Sequence, residues 1–332
     1  MMRKTLGILV LSLVFLLASC GQSENGDNES GTSDEQLVIG VTQIVEHPSL
    51  DRATEGFMKA IDESDLNVEF IVENAQNDNS NNQLIAQKLV GDNVDLIFAN
   101  STPSALSVLN ETTEIPIVFT SVTDPVDAQL IESFESPGGN VTGTADLAPD
   151  SIPKTVKLMK ELGFHSIGLI YNASEANSVT QIDLVNEVAA EEGMETIEKT
   201  ISSSSEVRQA AESLIGSADA MFIITDNTVV SALESVLIVG ESENIPVFVG
   251  ELDSVERGGF AAYGFDYYDI GFEAGEKAIE ILKDGKSPAD IPATYPQNVK
   301  LQINGDVLEQ LQIELPENIK EEAEIVSTEE DS

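Results

Sequence analysis

The chain of 332 residues has no tryptophan, one cysteine, two histidines and only 16 Lys and Arg against 59 Asp and Glu. Each scarcity excludes something. One cysteine and two histidines cannot assemble a His/Cys metal cluster. The formal net charge of −43 repels nucleic acid and anionic lipid, which argues against both as partners. The acid residues are spread along the whole chain, as on a solvated surface suited to a salty exterior; attraction of a cationic ligand is the alternative. No Gly-x-Ser-x-Gly turn offers a hydrolase nucleophile, and no Gly-x-Gly-x-x-Gly or phosphate-binding loop follows an apolar run. His47 has no nucleophile placed beside it by any motif and reads as structural or cleft-lining. His165, just before an apolar run, reads as a surface residue. Glu46 and Asp226 could form an acid/base pair, but nothing in the sequence brings them together. No enzyme and no cofactor is expected.

What the chain does have is a repeat. Asp95–Leu106 reads Asp-Leu-Ile-Phe-Ala-Asn-Ser-Thr-Pro-Ser-Ala-Leu, and Asp219–Leu233 follows the same plan. Each is a short apolar run, a cluster of small polar residues and a resumed helical pattern. Such a run suits a strand buried on both faces. The polar cluster supplies helix N-caps, and Pro103 fits the first helical position. In parallel α/β sheets, ligands bind at this junction because helix N-termini point free N–H groups into the crevice.

The echo extends to Leu37–Gln43 with Ser166–Tyr171, to Glu114–Thr120 with Asn244–Gly250, and to Gln83–Val90 with Val207–Ile215. Elements recurring in one order at domain-length spacing predict two similar α/β domains of Rossmann-like build joined by a hinge. Residues 37–146 plus about 258–290 are expected to form lobe 1, and 147–257 plus about 291–320 lobe 2. Asp124 before Pro125 predicts another helix start. Residues 321–332 are acidic and expected to be disordered.

The first twenty residues carry Arg3 and Lys4, an apolar run from Leu6 to Leu17, then Ala18-Ser19-Cys20. That is the plan of a secretory signal, too short for a comfortable membrane span. Leu17-Ala18-Ser19-Cys20 resembles the bacterial lipobox, which implies lipidation of Cys20 and a lipid anchor to the cell membrane. Residues 21–36 contain no apolar side chain and read as a flexible tether.

Seven motifs narrow the class: the run Ile39–Asp51, Thr102-Pro-Ser-Ala105, Ile115-Pro-Ile-Val-Phe119, Thr123-Asp-Pro125, Pro137–Gly143, Glu175-Ala-Asn-Ser178 and Thr225-Asp-Asn-Thr228. In order and wording they resemble the tryptophan/tyrosine binding lipoproteins of ABC transporters, over Leu37 to about Ile313. The resemblance implies the type I periplasmic-binding, lac-repressor-like fold, with an aromatic amino acid held between lobes outside the cytoplasm. It also implies an ABC permease partner and, through it, an ATPase. A sensing receptor, a sugar or nucleoside ligand, or an enzyme of the same fold are the alternatives.

An amino acid asks for anion recognition on one wall and acceptors on the other. The arginines past the signal, Arg52, Arg208 and Arg257, lie in no predicted cleft loop. Helix N-termini with hydroxyls can take the carboxylate instead, which selects Asn100, Ser101 and Thr102, and Ser121 with Asp124. Asp226 is expected to hold the ammonium, with Asn177, Asn227 and Thr228 completing hydrogen bonds; plain helix capping is the alternative for Ser101, Thr102, Asp124 and Asp226. Gln43 and Glu46 reach the same space from the first loop. Phe98, Phe119, Tyr171 and Phe248 read as ordinary core, with facing an aromatic ring the alternative.

Overall fold

The computed structural model describes residues 36–328. The signal, the tether and Cys20 fall outside these residues, apart from Gln36 at the end of the tether.

Lobe 1 begins with β1 (Leu37–Gln43), α1 (Pro48–Asp62), β2 (Val68–Asn74), α2 (Asn79–Gly91), β3 (Leu96–Asn100), α3 (Thr102–Glu111), β4 (Ile117–Val122) and β5 (Val141–Ala145). Its five strands are parallel, in the order β2-β1-β3-β4-β5. Strands β3, β4 and β5 are buried along their whole length. That is why they read as unbroken apolar or small-residue runs rather than alternating ones.

Lobe 2 repeats the plan with α4 (Ser151–Glu161), β6 (Ser166–Asn172), α5 (Ala176–Glu191), β7 (Glu195–Ile201), α6 (Val207–Glu212), β8 (Ala220–Ile223), α7 (Asn227–Val230), α8 (Leu233–Glu243) and β9 (Val247–Val249). Its parallel sheet runs β7-β6-β8-β9. The repeated aspartates have the same task in both lobes. Asp95 Oδ2 accepts from Val38 N at 2.7 Å, and Asp219 Oδ2 accepts from Ser166 N at 3.0 Å. Each carboxylate pins the start of a central strand to the loop ahead of its neighbour.

The rest of the chain is α9 (Leu252–Glu256), β10 (Ala261–Gly264), α10 (Tyr267–Leu282), β11 (Lys300–Asn304), α11 (Gly305–Leu311), α12 (Glu317–Glu322) and β12 (Glu324–Val326). Three expectations change here. First, β10 stays with lobe 2 instead of opening the return to lobe 1. It pairs antiparallel with β11, Phe260 N donates to Val247 O at 2.7 Å, and Phe260 and Tyr263 pack into the lobe 2 core. Lobe 1 is rejoined only at α10, which packs on α1, and it extends to Thr294, bridged to Thr144. Second, β12 pairs parallel with β11, so order persists beyond residue 321; residues 329–332 lie outside the described part. Third, no helix follows Pro125. Asp124 Oδ1 accepts from Val126 N and Asp127 N, and the chain continues in turns.

The chain therefore changes lobes three times, after Ala145, between β10 and α10, and before β11. The α1–α10 contact needs small residues, because a Cβ on Gly271 would overlap the Ala53 carbonyl. Phe57 of α1 stacks on Phe98 of β3 at 3.8 Å between ring centroids, which anchors this helix pair to the sheet.

Candidate functional site

The carboxyl ends of both parallel sheets face one cleft. An enclosed cavity lies there, lined from lobe 1 and its crossovers by His47, Leu50, Ser121, Asp146 and Tyr267, and from lobe 2 by Asn177, Thr225, Asn227, Val230 and Glu251. Its volume is about 10 Å³, room for about one water. The lobes are drawn together around it by direct bonds. Asn77 Nδ2 donates to Thr228 Oγ1 at 3.0 Å, Gln181 Nε2 to Thr123 Oγ1 at 3.2 Å, and Thr180 Oγ1 to Asp127 Oδ2 at 3.1 Å. Arg52 of α1 pairs with Asp253 of α9 at 3.4 Å, the arginine half-exposed and the aspartate largely buried.

Of the residues selected from the sequence, Ser121, Asn177 and Asn227 line this cavity. Ser121 sits at the end of β4 with φ +55°, a left-handed conformation that is strained for serine. Its hydroxyl is buried without a hydrogen-bond partner. Asn177, in the first turn of α5, donates from Nδ2 to Thr225 O at 3.2 Å, while its Oδ1 is likewise buried and unpartnered. Orphaned buried polar atoms are rare in native folds. Two of them, from opposite lobes, border the same cavity.

The other selected residues are placed elsewhere. Gln43 and Asn100 form a network inside lobe 1. Asn100 Nδ2 donates to Gln43 Oε1, Leu50 O and Thr54 Oγ1, and Gln43 Nε2 donates to Asp51 Oδ1 at 2.7 Å. They fix the loop after β1 rather than border the cavity. Glu46 points to solvent. Ser101 donates to Ser104 Oγ at 3.3 Å. Thr102 lines a separate groove of about 330 Å³ at the cleft mouth, between α2, α3 and Ser174. Asp124 caps its turn.

Asp226 and Thr228 are spoken for within lobe 2. Asp226 accepts from Asn172 N at 2.6 Å, Ser178 Oγ at 2.7 Å and Val229 N at 2.8 Å, and is fully buried away from the cavity. Burial, with the Glu175 charge beside it, pushes its carboxyl up. Glu175 completes the arrangement by accepting from Asn227 N and Thr228 N at 3.1 Å and from Thr228 Oγ1 at 2.6 Å. The two carboxylates thus satisfy the first turn of α7. Phe98, Phe119 and Phe248 are core, and Tyr171 donates to Glu198 on the outer side of lobe 2. None of the four reaches the cavity.

Four lining residues, Asp146, Tyr267, Glu251 and Thr225, carry chemistry for which the sequence selected no role, and His47, read as structural or cleft-lining, joins them. Tyr267 donates to Asp146 Oδ2 at 2.8 Å, and Thr123 Oγ1 donates to Asp146 Oδ1 at 3.2 Å. Burial pushes Asp146 up to about 6 against these bonds. Glu251 caps α9. Thr225 is bonded to Gln181 on both sides, accepting at 2.8 Å and donating from N at 3.2 Å. His47 caps α1, and burial, with the Arg257 charge adding to it, brings its imidazole down to about 3. It is neutral at physiological pH. The signal for Asp146 and Tyr267 was their position beside lobe crossings: the expected boundary after residue 146 already set Asp146 at one, whereas Tyr267 was hidden because the return to lobe 1 was expected earlier, at about 258. Among the described residues no group of three or more His, Cys, Asp or Glu could hold a metal ion, and no helix is long and apolar enough to cross a membrane.

Two parallel α/β lobes joined by three crossovers and closed on a polar cavity define a small-molecule binding protein of the type I periplasmic, lac-repressor-like fold. Residues 38–327 match the ABC transporter substrate binding protein family. The chain belongs to that family. It is 44% identical over 324 residues to a Clostridioides difficile protein named tyrosine-binding protein, covering 94% of this chain and 93% of the relative. It superposes with TM-score 0.83 on a Streptococcus pneumonia ABC domain in complex with L-Trp, at 30% identity, covering 87% of this chain and 99% of that one. A ligand-free, open substrate-binding protein from Clostridium difficile is more similar in sequence, at 40% identity, yet gives a TM-score of 0.65 over 88% of this chain and 100% of that one. The lobes here are arranged more as in the complex than as in the open form. The protein is the substrate-binding component of an ABC importer, a class that works outside the cytoplasm.

Proposed function

We propose that the protein captures an aromatic L-amino acid between its lobes and delivers it to a membrane permease and its ATPase. The unpartnered Ser121 hydroxyl and Asn177 carbonyl, facing one cavity from opposite lobes, carry this reading. The serine hydroxyl is a donor for a carboxylate and the asparagine carbonyl an acceptor for an ammonium. The relatives named for tyrosine and bound to L-Trp support an aromatic side chain. Burying such a ring removes roughly 150–250 Å² from water, contributing about 4–6 kcal/mol at about 25 cal/mol per Å². Ser121, Asn177 and Asn227 are the ligand contacts, and Thr102 borders the mouth through which the solute enters. Closure is a population shift driven by bonds that only the closed form completes. The solute leaves unchanged, without turnover.

Cys20 carries the lipid that holds the protein to the membrane, with residues 21–36 as tether. A thermal-shift screen of the twenty amino acids on the purified protein tests the ligand. Stabilisation by tyrosine, tryptophan or phenylalanine is expected, and stabilisation by sugars or nucleosides alone overturns the reading. Metabolic labelling with a fatty acid tests the anchor, expected in the native chain and lost in Cys20→Ser.

A further inference from the structure

Asp146 and Tyr267 stand where the chain changes lobes. Asp146 directly follows β5 on the first crossover, and Tyr267 opens α10 just after the second. Both are buried and both border the interlobe cavity. The Tyr267 hydroxyl donates to Asp146 Oδ2 at 2.8 Å, clipping the two crossovers together. Through Thr123, which donates to Asp146 Oδ1 and accepts from Gln181 Nε2, the same carboxylate is connected to α5 of lobe 2.

The charges around the cavity do not balance. Two carboxylates border it, Asp146 and Glu251, while His47 is neutral and no Lys or Arg lines it. The Arg257 guanidinium is outside the lining: its Nη2 donates to Val230 O and pairs with Glu234 at 2.7 Å, and its Nη1 is buried without a partner. A buried carboxylate without a cation is costly, and a solute bearing an ammonium supplies the missing charge.

We propose that Asp146 pairs with the cationic end of the solute, and that its bond to Tyr267 conveys the pairing to both crossovers. Charge recognition and lobe closure then meet at one carboxylate, with Tyr267 as a positioning residue. This rests on the amino-acid reading above, and the probes are chosen to separate the two.

Calorimetry on the whole protein would compare L-tyrosine and L-tryptophan with their amines (tyramine, tryptamine) and their des-amino acids (phloretic acid, indolepropionic acid). The wild type is expected to bind an amino acid about 100-fold more tightly than its des-amino acid, as for a desolvated charge pair. Asp146→Asn, checked for folding by its thermal transition, is expected to lose most of that preference while binding the des-amino acid as before. Tyr267→Phe is expected to keep the preference but to show less compaction on saturation by small-angle scattering. An Asp146→Asn protein with wild-type preference, or a wild type without preference, overturns the inference while leaving the aromatic ligand in place. Full compaction in Tyr267→Phe overturns the coupling. A wild type that binds none of the six compounds overturns the amino-acid reading itself, and the inference with it.

Discussion

Asn77 of lobe 1 donates from Nδ2 to Thr228 Oγ1 of lobe 2 at 3.0 Å, a direct bond between the lobes. Asn77 has φ +59°, a conformation that asparagine tolerates and glycine adopts freely. The Asn77→Gly variant therefore removes the latch without straining the loop. A neutral hydrogen bond made only on closure is worth about 0.5–1.5 kcal/mol, so solute affinity should fall about 2- to 10-fold. Calorimetry measures this, and an unchanged affinity would mean that the latch also forms in the open protein.

Asp226 should behave as a structural residue. Its two oxygens satisfy Asn172 N, Ser178 Oγ and Val229 N in a fully buried setting. Asp226→Ala strands these donors, at about 1–3 kcal/mol for each group left unsatisfied. Urea unfolding should show a lower midpoint, with solute affinity preserved in the fraction that remains folded. Native stability with lost binding would return Asp226 to the ligand site.

Ser121 should show the reverse pattern. Its φ of +55° makes Ser121→Gly the clean probe, since glycine relieves the strain as it deletes the hydroxyl. Stability is expected to hold or rise. Loss of a hydrogen bond to a charged carboxylate, about 1.5–3 kcal/mol, should weaken binding by roughly 10- to 100-fold. A parallel loss is expected for Asn177→Ala, read by the same titration.

Acidity should move stability and affinity in opposite directions. Burial raises Asp146 from 3.8 to about 6, so the folded protein holds this proton more tightly than the unfolded chain does. Its contribution to stability is then largest near the unfolded value and declines as pH rises toward 6. Asp226 and Asp253, also raised by burial, act in the same direction. The groups facing Asp146 are Tyr267 from α10, Glu251 from the cap of α9, His47 from the cap of α1 and Tyr263 from β10. His47 is brought down to about 3 and both tyrosines are pushed up, so none of these three changes charge in this window. The ionised Asp146 is the form that attracts an ammonium. The ligand-free protein should melt at a higher temperature near pH 5 than at neutral pH, while affinity falls. Scanning calorimetry and binding titrations at the two pH values check the crossing trends.

The sequence disclosed the repeat because Leu96–Ala99 and Ala220–Ile223 are buried on both faces and so are written in apolar residues. Of the polar tips after these runs, that of lobe 2 borders the cavity through Thr225 and Asn227, while that of lobe 1 has Asn100 and Ser101 bonded within its own lobe and Thr102 in a separate groove. Composition cannot say which way a cap faces. Asp226 and Asn177 both sit at helix starts, yet one is turned into its own lobe and the other borders the gap. Asp124-Pro125 has the letters of a helix start, but Asp124 closes a turn after which no helix follows. The strand Glu324–Val326 is three residues long inside an acidic run, too short for periodicity to register. Asp146 and Tyr267 lie just past β5 and β10, where the chain changes lobes, outside the strand–helix junctions that the repeat singled out.

The chain enters the fold through β1 in lobe 1 and its last strand, β12, is in lobe 2. The first and last strands of the described residues therefore ride on different lobes. A fluorophore placed ahead of Leu37 and another after Val326 would form a ruler that shortens or lengthens as the jaws move, reporting occupancy in solution without touching the pocket.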